Sequence, residues 1–491
     1  MLSIDQSTAG TKGTLFDKAG KLIARCDIPH RQIVNDKGWV EHDATEIMAN
    51  IYKVTQKVME KAGADSGSIA AVGISNQRET SVCWDKNSGE PLYNAIVWQC
   101  PRAEEINAEI CARVGVDYIK SVTGLQASPF FSASKFAWLV RNVESVKAAQ
   151  KNNTLCCGTM DSWIVYKLTG NFKTDYSNAS RTQLLNLDKL KWDEGLVQAF
   201  GLNLYSLPEI CMSDSLFGYT DMNGLLCKEV PIHGVLGDSH AALFGNKCIL
   251  PGMAKATLGT GSSVMMNVGS SRPKDTHGAV TSLAWGMNNK VEFVLEGNIN
   301  YAGAVIKWLV EDLELLKTSS HAGAIAKSVG NTQGVYLVPA FSGLGAPYFD
   351  TNARAAITGM NRTTKKAHIV RAAEECIAYQ IADIVNILNN VAQCPMQRLC
   401  VDGGPTRDKF LMQFLSDMLG FTVAINHTEE LSAAGAAYCA AIGSKFSSLQ
   451  ELFSSASYTN TEPQMSEKQK NELYSGWKNA VESVRKVNYR V

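Results

Sequence analysis

The sequence predicts an α/β protein built from two related halves that face each other across a cleft. Three observations carry this. Short apolar, β-branched runs alternate with stretches of helical periodicity, which is the pattern of layered α/β folds. A strand–turn–strand unit with a Gly/Thr-rich tip stands at 2–17 and a second one at 254–269. Between them, GVLGDSHAALFG at 234–245 joins an apolar strand to a helix start and marks the seam, dividing the chain into 1–245 and 246–491. A length of 491 residues allows roughly two to four domains.

The elements follow in order. LSID is a strand, QSTAGTKG a turn and TLFD the returning strand; KAGKL turns again into the strand IARCDI. DATEIMANIYKVTQKVMEKAG has an Asp start, apolar residues at helical spacing and a Gly stop, the signature of a capped helix. IAAVGIS is a short buried strand that runs into the polar cluster NQRET. In the second half AKATLGTGSSVMMNVG is strand, turn, strand, and RLCVDGG is a strand ending in a glycine turn. KFLMQFLSDMLG reads as a helix stopped by Gly, and EELSAAGAAYCAAIG as a small-residue helix suited to close packing. From about Ser457 the chain is polar and then helical, predicting a C-terminal surface helix.

Composition narrows the partners. Lys plus Arg is 47 and Asp plus Glu is 47, so no excess of positive charge supports phosphate neutralisation along a nucleic acid or a polybasic membrane anchor. No apolar run approaches the ~18 residues of a membrane span. The start, MLSIDQST, lacks the basic and apolar regions of a secretory signal. Thirteen dispersed cysteines, with no C-x-x-C pair, argue against zinc and for free thiols in a reducing compartment. A cytoplasmic protein is the expectation.

Chemistry concentrates at a few turns. The tip Asp5-Gln6-Ser7-Thr8-Ala9-Gly10-Thr11-Lys12 exposes backbone N–H and hydroxyl donors able to hold phosphate oxygens; Lys12 adds charge, and Asp5 can accept a Mg²⁺-bound water. A plain polar surface turn explains it equally well. The second tip, Gly259-Thr260-Gly261-Ser262-Ser263, has the same character, and one tip in each half suggests opposing clamps on a nucleoside triphosphate. The turn at Asp402-Gly403-Gly404 permits close approach of a flat ring or ribose; a tight strand-to-helix turn explains it equally well. Asp238, at a strand end in the seam, is placed for a general base, or simply for an N-cap. Arg78 and Glu79 end a strand, where Arg donates to hydroxyls and Glu accepts from them; a solvated ion pair is the alternative. His240 reads as structural.

Over essentially its whole length the chain resembles the FGGY carbohydrate kinase family, and within it the glycerol kinases most. The likeness rests on IDQSTAGTKGTLFD, ISNQRETSVCWDKNSGEPLYNAIVWQ, GTMDSWIVYKLTG, TDYSNASRT, GDSHAALFG, AKATLGTGSS, LVPAFSGLGAPYFD and VDGG, in family order. The resemblance implies two actin-like, ribonuclease-H-like domains with ATP in the cleft, a homodimer as the assembly, and Mg²⁺-dependent phosphoryl transfer from ATP to a terminal hydroxyl of a small polyol or sugar. It assigns Asp238 as the catalytic base and Arg78 and Glu79 as the acceptor-hydroxyl pair. Thr8, Gly10, Thr11 and Lys12 match the first phosphate hairpin, with Lys12 in place of the usual Arg. Thr260, Gly303, Gly404 and Asp408 match ATP contacts, with Asp408 in place of Asn. Departures gather around the acceptor: Phe130 replaces Tyr, Ser239 replaces Gln, Ser263 replaces an apolar aromatic, and Q-D-R-R is here Gln99-Cys100-Pro101-Arg102. These predict a wider, differently polar pocket that admits a four- or five-carbon polyol or ketose beside glycerol. Glu374 occupies a normally apolar position of a family signature. MNGLLCKEVPIHG stands where some glycerol kinases bind fructose bisphosphate, so that control is not expected. An actin-like ATPase without a sugar acceptor would share the phosphate hairpins but would not need Arg78, Glu79 and Asp238 together.

Overall fold

The computed structural model describes residues 1–454 and 457–486. Each half is organised on one large sheet. In the first, β1 (Leu2–Gln6), β2 (Gly10–Phe16), β3 (Leu22–Pro29), β4 (Val72–Asn76), β5 (Gly218–Thr220) and β6 (Val230–Gly237) lie in the order β5-β6-β4-β1-β2-β3. In the second, β7 (Ala254–Leu258), β8 (Ser262–Gly269), β9 (Val280–Met287), β10 (Lys290–Ile299), β11 (Arg398–Asp402), β12 (Thr422–Asn426) and β13 (Tyr458–Thr461) lie in the order β9-β10-β8-β7-β11-β12-β13. The plan repeats. An antiparallel hairpin, β1–β2 or β7–β8, joins through its first strand to two successive parallel strands, β4 and β6 or β11 and β12. A smaller five-stranded sheet in the first half contains Ser81–Asp85, Ala95–Ile96 and Leu155–Thr159 and carries the loops at 97–100 and 125–131.

Both hairpin tips are shorter than the sequence suggests. β2 begins at Gly10, so Gly10 to Gly13 lie in the strand and only 7–9 form the tip. These glycines serve packing. A Cβ on Gly10 would stand 2.7 Å from the Ile28 carbonyl of β3, and one on Gly13 would stand 2.9 Å from the Val54 carbonyl. Val54 belongs to α1 (Ala44–Ala62), whose Asp43 cap accepts from the Thr45 and Glu46 amides and whose end is set by Gly63 at φ 58°. That helix buries Ile47, Ile51, Val54 and Val58 under the sheet.

The helices at the seam follow from small residues. α2 (Asp238–Gly245) continues from β6; α3 (Gly303–Glu311), α4 (Lys366–Val391), α5 (Lys409–Leu419), α6 (Leu431–Gly443) and α7 (Glu467–Arg485) belong to the second half. α6 crosses onto the first half and packs against α2, β4 and β6. Backbone meets backbone there: a Cβ on Gly73 would lie 2.5 Å from the Ala436 carbonyl, and one on Gly435 would lie 1.8 Å from the Ala241 carbonyl. Since neither backbone can yield without moving a whole element, Gly435→Ala is expected to destabilise the protein by about 3 kcal/mol, readable as a lower urea midpoint.

α7 is not only a surface helix. Its apolar stripe buries Trp477, Ala480, Val481 and Val484, and Trp477 stacks on Tyr379 at 5.4 Å while its Nε1 donates to Asp383 at 2.8 Å. The polar residues that dominate its sequence occupy the outer face. All thirteen cysteines are unpaired. Among the described residues no helix is long and apolar enough to cross a membrane.

Candidate active site

The residues expected on the acceptor side meet where β4 and β6 end side by side. The parallel register pairs Gly237 with Asn76, so Arg78 and Asp238, just beyond those strand ends, become neighbours. Arg78 Nε lies 3.4 Å from Asp238 Oδ1 and 3.9 Å from Glu79 Oε1. Asp238 opens α2 but does not cap it: the cap position is Gly237, and Asp238 Oδ1 accepts from the adjacent Ser239 amide at 2.6 Å. The carboxylate is about a third exposed. Glu79 sits at φ 61°, an uncommon backbone state for a side chain with Cβ and one that concentrates at functional sites.

A buried ionic network fixes this corner, and two of its members escaped the sequence reading. Glu296 of β10 accepts from Arg78 Nη1 at 3.1 Å and Nη2 at 2.9 Å. Arg181 Nη1 lies 2.9 Å from Glu296, and Arg181 Nε donates to Glu79 at 2.5 Å. Burial alone would raise the Glu296 carboxyl, but the Arg78 and Arg181 guanidiniums hold it well below its usual range. Ser263 donates to Glu296 at 3.1 Å, so its hydroxyl belongs to this network rather than standing free in the pocket. The signal for Glu296 was available: a carboxylate that follows the apolar run FVL inside the strand KVEFVLEGNI requires buried partners. His240 is buried with Nε2 3.3 Å from the Ser282 hydroxyl, and burial together with Arg78 keeps it neutral, in line with a structural role.

Phe130 lies against Trp98, ring centroids 5.2 Å apart, and Trp98 Nε1 donates to the Thr8 hydroxyl at 2.9 Å. This joins the first hairpin tip to the acceptor corner. The Phe130 loop is held from below by Lys135, whose buried ammonium donates to the carbonyls of Pro129, Phe130 and Phe131 at 2.9, 2.5 and 3.0 Å. Burial pulls Lys135 down to about 7. Arg102 pairs with Glu41 at 2.6 Å and covers the Trp39 and Trp138 rings, which accounts for it structurally.

The hairpin side is more mixed. Asp5 is buried and accepts from the Ser75 hydroxyl at 2.9 Å, with Lys12 Nζ 3.9 Å away. Burial raises Asp5 to about 6, and the nearby Asp238 and Glu430 charges add to the rise. Lys12 is not a free cation: it donates to Glu430 at 2.6 Å, and Arg25 binds the other oxygen of that carboxylate at 2.5 Å. Thr11 is buried with its hydroxyl unpaired, so that side chain does not line the cleft surface, whereas Thr8 at the tip and Gly10 at the start of β2 are half-buried. Asp5, Lys12, Arg25, Asp402, Gly404 and Glu430 border a cleft of about 1390 Å³. Among the described residues no three His, Cys, Asp or Glu groups cluster as a metal site. Mg²⁺ needs only one or two protein carboxylates when it is shared with phosphates and water, and the buried, charge-crowded Asp5 fits that demand.

Gly404 also borders a second cavity of about 470 Å³, together with Thr260, Gly303, Glu374 and Asp408. All four residues matched to ATP contacts therefore meet at one place. A Cβ on Gly303 would lie 2.7 Å from the Gly259 carbonyl, so the second hairpin tip rests directly on the start of α3. Asp408 caps α5 by accepting from the Phe410 and Leu411 amides at 2.8 and 3.2 Å.

Residues 1–245 match the N-terminal domain of the FGGY family of carbohydrate kinases, and residues 254–444 match its C-terminal domain. The chain belongs to the FGGY family. It is 45% identical to a protein named glycerol kinase 1 of Thermotoga maritima over 98% of both chains, and 42% identical to a glycerol kinase of Alkaliphilus oremlandii over 98% of this chain and 96% of that one. A Plasmodium falciparum glycerol kinase solved with ADP superposes with a TM-score of 0.93 at 36% identity, covering 98% of this chain and 97% of that one. A xylulose kinase of Lactobacillus acidophilus matches in fold, with a TM-score of 0.88 at 22% identity and 98% coverage of both chains. An FGGY kinase is therefore an enzyme of two α/β domains, and the repeated sheets described above are those domains.

Proposed function

We propose that this FGGY kinase transfers the γ-phosphoryl group of ATP to a terminal hydroxyl of a small polyol, with glycerol as the reference acceptor. One observation carries the reading. Arg78, Glu79 and Asp238 converge at the seam, with Asp238 near enough to Asp5 for their charges to interact, and Gly404 and Arg407 line both the cleft that Asp5 borders and the Thr260 cavity. The identity to the named glycerol kinases supports the acceptor class.

Each residue has a physical task. Arg78 donates to acceptor hydroxyls and Glu79 accepts from them, both locked in place by Glu296 and Arg181. Asp238 takes the proton of the attacking hydroxyl as the new O–P bond forms and the bond to the ADP oxygen breaks. The two hairpin tips and Gly404 supply backbone donors around the phosphates and ribose. Asp5 would hold Mg²⁺, directly or through water, and the ion would supply charge neutralisation at the transferring phosphate. Catalysis is then mostly positioning and preorganised electrostatics. Lys12 contributes there only by sharing its charge between Glu430 and the nucleotide.

A longer acceptor is the second reading, favoured by three side chains. Ser239 and Ser263 are small, Ser263 is turned to Glu296, and Phe130 offers no hydroxyl. ADP release measured with glycerol, erythritol, xylitol, D-xylulose, L-ribulose and gluconate decides between them. The kinase reading expects acceptor-dependent ADP release with at least one polyol. Glycerol leading by a wide margin in kcat/KM would remove the wider-pocket argument. ATP hydrolysis that no acceptor stimulates would overturn the kinase assignment.

A further inference from the structure

The helix Ser132–Asn142 carries a fully buried lysine, Lys135, one turn from its start. Two effects oppose an ammonium there. The positive end of the helix dipole disfavours a cation in the first turn, and burial opposes the charge. Its partners offset both. An ammonium has three N–H donors, and three successive carbonyls, those of Pro129, Phe130 and Phe131, converge on it at 2.9, 2.5 and 3.0 Å. Donors and acceptors are matched one to one, and the Glu79 charge adds attraction.

This arrangement fixes the backbone of Phe130. The Pro129 and Phe130 carbonyls belong to the two peptide planes that flank the Phe130 Cα. Peptide planes are rigid, so holding both sets φ and ψ of Phe130, and with them the direction of its side chain. The ring then lies 5.2 Å from the Trp98 ring and 5.3 Å from the Phe131 ring, centroid to centroid. The same helix start is tied to Glu79. Ser132 Oγ donates to the Glu79 carbonyl at 3.1 Å. The Phe131 ring covers the Arg181 guanidinium at 5.1 Å, and Arg181 Nε donates to the Glu79 carboxylate.

We propose that Lys135 is a positioning residue for the acceptor: its three hydrogen bonds hold the 129–131 loop so that the Phe130 ring stands as a wall of the acceptor pocket, in register with Glu79. This rests on the reading of Phe130 and Glu79 as acceptor contacts. An apolar chain in place of the ammonium leaves three carbonyls without a donor, which costs free energy. The peptides flanking Phe130 relieve that cost by rotating, and the ring leaves its place. Arginine keeps the charge but spreads its donors over a planar fork, which cannot meet three carbonyls converging on one point. A lysine that served only the stability of the helix start would change the amount of folded enzyme and leave the acceptor KM alone.

The test is steady-state kinetics of the full chain with ATP and glycerol, or with the acceptor of the panel above that has the highest kcat/KM. Wild type is compared with Lys135→Met, Lys135→Arg, Phe130→Ala and the Phe130→Ala/Lys135→Met double variant. Lys135→Met is expected to lower the acceptor kcat/KM by about 10- to 100-fold, the scale of a displacement of about an ångström. Most of that loss is a raised acceptor KM, with the KM for ATP within about twofold of wild type. Lys135→Arg shifts the acceptor KM in the same direction, and it decides the matter by the same criterion where the Met variant fails to fold. Phe130→Ala raises the acceptor KM by itself. Adding Lys135→Met to it changes that KM by less than about twofold, because the ring that Lys135 places is already gone. An acceptor KM unchanged in both Lys135 variants, a loss confined to kcat, or effects of Phe130→Ala and Lys135→Met that multiply overturns the proposal. Absence of acceptor-stimulated ADP release by the wild-type chain would instead refute the kinase reading itself.

Discussion

Asp238→Asn is expected to lower kcat by about 10²- to 10⁴-fold, the usual contribution of a positioned general base, with the Kd for ATP changed by less than about twofold. The split follows from geometry. Asp238 stands just beyond the end of β6 beside Arg78, which in turn lies near Glu79, at the proposed acceptor corner. The cavity proposed for the nucleotide is built from other elements: the β7–β8 tip, the start of α3, α4, α5 and the turn after β11. Asparagine keeps the size of the side chain and an oxygen for the Ser239 amide, but it cannot take the hydroxyl proton. Arg78 retains Glu296 and Glu79 as counterions, so the corner keeps its shape and the loss reports chemistry rather than collapse. Single-turnover phosphoryl transfer and ATP titration on the same preparation separate the two quantities. Turnover within a few fold of wild type would remove Asp238 from the role of base.

The parts of the site carried by local pattern were legible in the sequence, and those created by distant pairing were not. Asp238, Arg78 and Glu79 stood out because each follows an apolar strand directly, and strand ends in an α/β sheet face the cleft. The hairpins were legible from their Gly/Thr tips, yet Gly10 and Gly13 extended the first turn too far. Glycine marks a turn or a close backbone approach, and only the neighbours, here Ile28 and Val54, say which. Lys12 looked like a free phosphate ligand because Glu430, 418 residues away, is invisible from its own segment. α6 was recognisable as a close-packing helix, but its crossing to the other half depends on glycines at 73 and 234 that the local pattern does not connect to it. Glu374 was visible as a departure from an apolar position; its burial beside a cavity that Asp408 also lines was not.

Glu296→Gln is expected to destabilise the protein by about 3–5 kcal/mol, the cost of removing one partner from a buried ion pair. Glu296 is 1% exposed and serves two guanidiniums and one hydroxyl. It comes from β10 in the second half, whereas Arg78 and Arg181 come from the first, so the carboxylate also ties the two halves together across the seam. Glutamine preserves the size and can still accept one hydrogen bond. It leaves Arg78 and Arg181 with only Glu79 and the partly exposed Asp238 as counterions. With Asp238 a third exposed, only one buried carboxylate then faces two buried guanidiniums, in a region where burial already opposes ionisation. The urea midpoint should fall accordingly, and the KM for the acceptor should rise more than the KM for ATP, because Arg78 loses its bidentate anchor. The cause can be isolated by a second substitution. Arg181→Met in the Glu296→Gln background removes one of the orphaned cations and should recover part of the lost stability, whereas Arg181→Met alone should destabilise by leaving Glu79 less well paired. Additive effects of the two substitutions would show that Glu296 and Arg181 act independently, and a midpoint for Glu296→Gln equal to wild type would show that the bridge contributes nothing to holding the halves together.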